Sequence, residues 1–216
     1  MKRRVFAVLL VALLLAGCAS GEPDTQEQPP LVEKQEGVDL VCVEYSSFSG
    51  TFPEDGTGRA VTDVAAMLVR NDSGRFLDTA LVQCAIGDAT GTFKVTGLPA
   101  GASVWVMEQN GMKISASDSF EITECREYAF RDDAVTETDR LTVATNGGTV
   151  TVTNLSTDTL NNVCLYYKAV HEDGNYFGGI TYMLAFDTLE PGQSMQKQSS
   201  HFGPNTQIVR YSFQTA

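Results

Sequence analysis

The sequence predicts an all-β chain organised as two tandem β-sandwich modules, and three observations carry that expectation. From Val38 onward Val, Thr, Tyr and Phe are frequent and are punctuated by Gly, Asn and Asp, the composition of short strands joined by tight turns. No window of useful length repeats its apolar residues with a helical period. The two halves of the chain also share a faint internal repeat.

The repeat runs as follows. In the first half a strand over Ala65–Arg70 ends at Asn71, Leu77 follows six residues later, and a strand leads through Val82. In the second half a strand ends at Asn154, Leu160 follows six residues later, and a strand leads through Leu165. Ala80, Val82, Cys84 and Ile86 then align with Val163, Leu165, Tyr167 and Ala169, each set on one face of its strand. Leu98-Pro99-Ala100-Gly101 aligns with Leu189-Glu190-Pro191-Gly192, each a turn opening onto another strand. Two copies of one module follow, over 38–131 and 138–216. Each is about 80–95 residues, the size of a small immunoglobulin-like sandwich.

Local turn chemistry supports the strands. Leu141 and Val143, then Val150 and Val152, alternate with polar neighbours around Asn146-Gly147-Gly148, whose residues accept positive φ, so 140–154 is a β-hairpin. Glu172-Asp173-Gly174 supplies a second turn, between a strand ending near Val170 and one starting near Tyr176. Asn71 and Asn154 are expected to close turns by bonding backbone groups.

The first 37 residues are different in kind. Lys2, Arg3 and Arg4 precede an apolar run from Val5 to Ala16, and Leu15-Ala16-Gly17-Cys18 follows. The run is shorter than the ~20 residues a membrane span needs and ends in small residues, as a cleavable signal does. It resembles a bacterial lipoprotein signal peptide over 1–17. That resemblance implies that Cys18 becomes the first mature residue, carries a thioether-linked diacylglycerol and holds the protein on the outer side of the cell membrane. Two or more acyl chains anchor stably where one does so marginally. Residues 18–37 hold three of the seven prolines and five acids against one lysine. They are expected to form a disordered acidic tether with an upper reach of ~60 Å at ~3.3 Å per residue.

Charge excludes some partners. Loss of Lys2, Arg3 and Arg4 with the signal takes the net charge from −12 to −15, which opposes nucleic-acid binding and adsorption onto anionic lipid. Membrane attachment therefore falls to the lipid on Cys18. Of the cysteines, Cys42 and Cys125 lie near the two ends of the first module and are the favoured disulfide pair, whereas Cys84 sits on an apolar strand face and reads as a small buried hydrophobe. With no C-x-x-C pair and two histidines, no metal site and no cofactor is expected.

Catalytic patterns are not found either. There is no G-x-S-x-G elbow, His171 and His201 lie in turn-like segments, and the acid pairs Glu54-Asp55, Asp132-Asp133 and Glu172-Asp173 read as solvated turn residues. The chain is expected not to be an enzyme. The densest aromatic patch is Tyr166, Tyr167, Tyr176, Phe177 and Tyr182 around one hairpin. If Tyr167 faces the core with Val163 and Leu165, alternation sends Tyr166 and Lys168 outward. Tyr166, Lys168, Tyr176, Phe177 and Tyr182 then form a candidate binding surface for a protein partner. A second possibility is a surface adhesin that stacks glycan or host material on the same rings. Trp105 reads as core.

Val152-Thr153-Asn154, Val163-Cys164-Leu165-Tyr166-Tyr167-Lys168, Gly178-Gly179-Ile180-Thr181-Tyr182 and Leu189-Glu190-Pro191-Gly192 together resemble the small β-sandwich modules of FxLYD type. These recur in surface lipoproteins of clostridial-type bacteria. The resemblance covers about a third of the chain, and the first module matches more loosely. Its motifs are turn and core residues, so it implies a fold and a setting, with no catalytic residue to carry over. The expected role is a non-catalytic, lipid-anchored envelope protein that presents protein-binding modules as an accessory or scaffold component.

Overall fold

The computed structural model describes residues 39–115 and 118–216. The signal segment, Cys18 and the tether lie outside the described residues. Among those residues no helix is long and apolar enough to cross a membrane, and the chain is all-β.

Among the described residues twelve strands alternate with turns: β1 Leu40–Thr51, β2 Ala60–Asn71, β3 Phe76–Ile86, β4 Ala89–Leu98, β5 Ser103–Met107 and β6 Phe120–Arg131 are followed by β7 Leu141–Asn146, β8 Thr149–Asn154, β9 Leu160–Val170, β10 Tyr176–Leu189, β11 Ser194–Gln198 and β12 Thr206–Thr215. The strand order repeats. β1-β2-β5 and β4-β3-β6 in the first half correspond to β7-β8-β11 and β10-β9-β12 in the second. The turns repeat with the strands: Gly101 N–H donates to Asn71 O at 2.7 Å and Gly192 N–H to Asn154 O at 3.0 Å. Both glycines have φ near +74°, at 73° and 75°, a conformation in which a Cβ is unfavourable.

The halves are joined by strand pairing. β5 and β10 run parallel, with Tyr176 opposite Val104 and Phe177 opposite Trp105, so β1-β2-β5 and β10-β9-β12 merge into one six-stranded sheet. Side-chain alternation decides where the remaining sheets lie. Val104 and Tyr176 belong to the core formed with Leu77, Val82, Phe93 and Val95 of β3 and β4. Val163, Leu165 and Tyr167, of opposite parity to Lys168 and Val170, belong to the core formed with Val150 and Val152 of β8. The sheet β4-β3-β6 therefore covers one face of one half of the long sheet, and β7-β8-β11 covers the opposite face of the other half. Outside the pairing, Tyr211 on the edge strand β12 donates its N–H to Val135 O of the connecting segment.

The expected Cys42–Cys125 bridge is not formed: Cys42 is a free thiol, as are Cys84 and Cys164. Cys42 stands on β1 and Cys125 on β6, in the two facing sheets, and both pack on the first core. A place near each end of a module does not bring two Cβ atoms within the ~3.5–4.5 Å that a disulfide needs; strand register decides that. Burial pushes the Cys42 thiol up to about 12 and the Cys125 thiol up to about 11, the behaviour of small core hydrophobes.

Candidate functional site at the joint between the two halves

The most heavily built polar site lies where the two halves meet. β1 and β2 pair as far as Thr51 opposite Ala60 and are connected by a strap over residues 52–59. Phe52 N–H donates to Arg59 O at 2.8 Å, and Phe52 is buried beneath the Arg59 guanidinium at 4.2 Å from the ring centroid. Asp55 accepts from the Thr57 N–H and hydroxyl and from Arg59 Nε at 2.7–2.9 Å. These bonds hold the Asp55 carboxyl down at about 2. A strap so pinned aims Glu54 inward.

Glu54 reaches from the first half into the second. Its carboxylate accepts the Met107 N–H at the end of β5 (2.9 Å) and the Gly179 N–H of β10 (2.8 and 3.0 Å to the two oxygens). Burial pushes the Glu54 carboxyl up to about 7, against the pull of those amides and of the Lys168 charge. The sequence reading of Glu54-Asp55 as a pair of solvated turn acids is thus right for Asp55 and wrong for Glu54.

Lys168 makes the reciprocal crossing. It is 0% exposed, and its Nζ donates to Thr96 O on β4 (3.0 Å), Ile180 O (2.8 Å) and Thr181 Oγ1 (3.4 Å). Burial pulls its ammonium down to about 7, opposed by the Glu54 charge. Removing an ammonium or carboxylate from water costs several kcal/mol even after relaxation, so such groups persist only when well bonded. Here each is bonded to the backbone of the other half.

A large bulge in β10 makes room for these contacts. Phe177 stands opposite Ala169 and Tyr182 opposite Tyr167, so residues 178–181 face Lys168 alone. The bulge packs flush on β4: Thr96 Oγ1 donates to Gly179 O at 2.7 Å, and Thr181 Oγ1 donates to Thr96 O at 2.9 Å. A Cβ on Gly179 would collide with the Lys94 carbonyl oxygen, and one on Gly97 with the Thr181 hydroxyl. A further bond crosses the joint from Trp105 Nε1 to Asp173 Oδ2 at 2.8 Å.

The candidate surface read from the sequence is largely consumed here. Lys168 is buried rather than outward, and Tyr176 is buried in the first core. Tyr166 is half-buried beneath the Arg210 guanidinium at 3.7 Å. Phe177 is half-buried between Phe48 and His171, and Tyr182 lies between Tyr167 and the exposed His201 ring. Alternation correctly puts Tyr166 and Lys168 on the face away from their own core. That face is covered because strands of the first half pack on it. His171 is half-buried, with Nδ1 3.1 Å from Asp173 Oδ1 but off hydrogen-bond geometry. Trp105, read as core, is half-buried at the joint.

Most bonds at the joint run from a side chain of one half to the backbone of the other, a positioning arrangement. Among the described residues no group of three or more His, Cys, Asp or Glu could hold a metal ion. Sequence reasoning missed Glu54, Thr96 and Gly179 as a set. The one available signal was Gly178-Gly179 inside a strand pattern, which marks a bulge or a close backbone approach. No family model matches the chain, and no curated protein matches it.

Proposed function

We propose that the chain is a lipid-anchored, extracytoplasmic, non-catalytic protein that presents two tandem immunoglobulin-like modules of FxLYD type to a protein partner at the cell surface, as a scaffold or accessory component. The observation that carries this is the order of its parts: Leu15-Ala16-Gly17-Cys18, an acidic proline-bearing stretch, then strands from Leu40 onward. The chemistry of the buried polar groups is consistent with it. Asn71, Glu108, Asn154 and Lys168 are all bonded to backbone groups, which is the use a structural module makes of polarity. With Lys168 and Tyr176 buried, the partner-facing surface is better sought around Met183 and Leu155, which are 53% and 60% exposed.

Fatty-acid labelling in cells, comparing the chain with its Cys18→Ser variant, tests the anchor. Label in the parent and none in the variant is expected, and equal label in both removes the anchor. Photo-crosslinkers at residues 155 and 183 test the partner arm. Discrete adducts in intact cells are expected, and their absence at both positions counts against a protein partner on this surface.

A further inference from the structure

The second module shows that the strap is not required by the sandwich itself. Its equivalent hairpin, β7–β8, turns through Gly147-Gly148 with Asn146 opposite Thr149. In the first module β1 and β2 run on to Thr51 opposite Ala60, and eight residues connect them. The additional chain buries Phe52 in a small apolar cluster with Val64, Ala66 and Met107 and delivers Glu54 to the joint.

The receiving end has the chemistry of an anion site. Two amides from different halves, Met107 N–H and Gly179 N–H, converge on one carboxylate, and hydrogen bonds from amides to an ionised acceptor are stronger than neutral ones. The buried Lys168 supplies positive charge. Glycine at 179 lets the backbone come this close: its missing Cβ would lie 2.8 Å from Glu54 Oε2. The charged and titratable groups facing the site are Glu54 and Asp55 from the strap, Lys168 from β9 and Tyr182 from β10. The strap's own shape rests on Asp55, Thr57, Arg59 and Phe52, so it survives without the Glu54 carboxylate.

We propose that the joint is a carboxylate-binding site assembled by both modules, and that Glu54 fills it in cis as a latch holding them in one relative orientation. The ligand class is a carboxylate on a short aliphatic arm. The site exists only while the halves are docked, so occupancy and docking are linked: whatever binds the docked form alone stabilises it. Emptying it loosens the joint, and a small carboxylate of the right size restores it.

Glu54→Ala in the full chain tests this through chemical rescue. The melting temperature should fall by about ten degrees, and hydrogen-exchange protection of the Gly179 and Met107 amides should drop at least about a hundredfold. Sodium propionate should restore both saturably, while propionamide at equal concentration should not. Protection like that of the parent, or equal rescue by the neutral amide, overturns the proposal. Should Glu54→Ala not fold, Glu54→Gln decides. Its amide keeps one acceptor, so protection at Gly179 should fall at least about tenfold while amides around Asn154 stay protected. Full protection at Gly179 in that variant overturns the proposal as well.

Discussion

Asn71 and Asn154 make the same bonds in two places. Nδ2 of Asn71 donates to Arg75 O and Leu98 O at 2.8 and 2.9 Å, and Nδ2 of Asn154 donates to Asp158 O and Leu189 O at the same two distances. Each Oδ1 accepts the N–H and hydroxyl of the serine two residues on, Ser73 or Ser156. One buried amide thus ties the end of a strand to its own turn and to the turn after the hairpin that follows.

Replacing either asparagine leaves buried carbonyls without donors. At about 1–3 kcal/mol for each unsatisfied group, Asn154→Ala should cost about 3 kcal/mol. Asn154→Asp should cost at least as much, because an oxygen then faces two carbonyl oxygens. Ser156→Ala, which removes one hydroxyl, should cost about 1 kcal/mol. Denaturant unfolding of the three variants checks the order, and an aspartate variant as stable as the parent would be inconsistent with the assigned amide orientation.

Glu54 and Lys168 should be strongly non-additive. Each of these buried charges is partly offset by the other, and removing one leaves the other less compensated, at about 3–5 kcal/mol. Lys168→Met and Glu54→Leu singly should each fall in that range. The double variant should be less destabilised than their sum by about 1–3 kcal/mol. A double-mutant cycle by thermal unfolding measures this, and strict additivity would mean that the two charges do not act together.

The pair also gives stability an unusual pH profile. An acid raised from 4.5 to about 7 on folding holds an extra proton in the folded state between those values, so its contribution is greatest below pH 4.5 and declines as pH rises to about 7. An amine lowered from 10.5 to about 7 has its extra proton in the unfolded state between those values, so stability climbs again from about pH 7 to 10.5. The difference in unfolding free energy between the parent and the Glu54→Leu/Lys168→Met variant should therefore dip near neutral pH. A flat difference curve from pH 4.5 to 10.5 contradicts the assigned burial of both groups.

Glycine 179 should tolerate nothing larger. Gly179→Ala drives a methyl into the Lys94 carbonyl oxygen, a backbone atom that cannot rotate away, and should separate the bulge from β4. Gly192→Ala meets no atom within 4 Å and has only its φ of 75° to contend with, at about 1 kcal/mol. Protection of the Thr96 and Gly179 amides should fall in the first variant and persist in the second.

Cys84, Cys125 and the half-buried Cys42 should be slow to react while the protein is folded. Burial pushes Cys42 and Cys125 up to about 12 and 11 and Cys84 still higher, which leaves little thiolate at pH 8. Alkylation at pH 8 should modify these three only after denaturant is added. Rapid labelling of Cys84 in the native protein would contradict its place in the core.

The all-β class, the hairpin over 140–154, the turn at Glu172-Asp173-Gly174 and the faces of β3 and β9 were legible in the sequence, since each depends on residues a few positions apart: side-chain alternation, positive-φ glycines and asparagines that bond nearby backbone. The aligned positions could be found because short spacings recur in both halves: six residues from Asn71 to Leu77 and from Asn154 to Leu160, three from Leu98 to Gly101 and from Leu189 to Gly192. The joint recurs nowhere. Glu54 and Gly179 are 125 residues apart, and nothing local distinguishes Glu54 from its exposed neighbour Asp55. Alternation tells which face of β9 carries Lys168 but is silent on what lies against that face. That was decided by the parallel pairing of β5 with β10, which turns an outward lysine into a fully buried one and a turn acid into the link between the two halves.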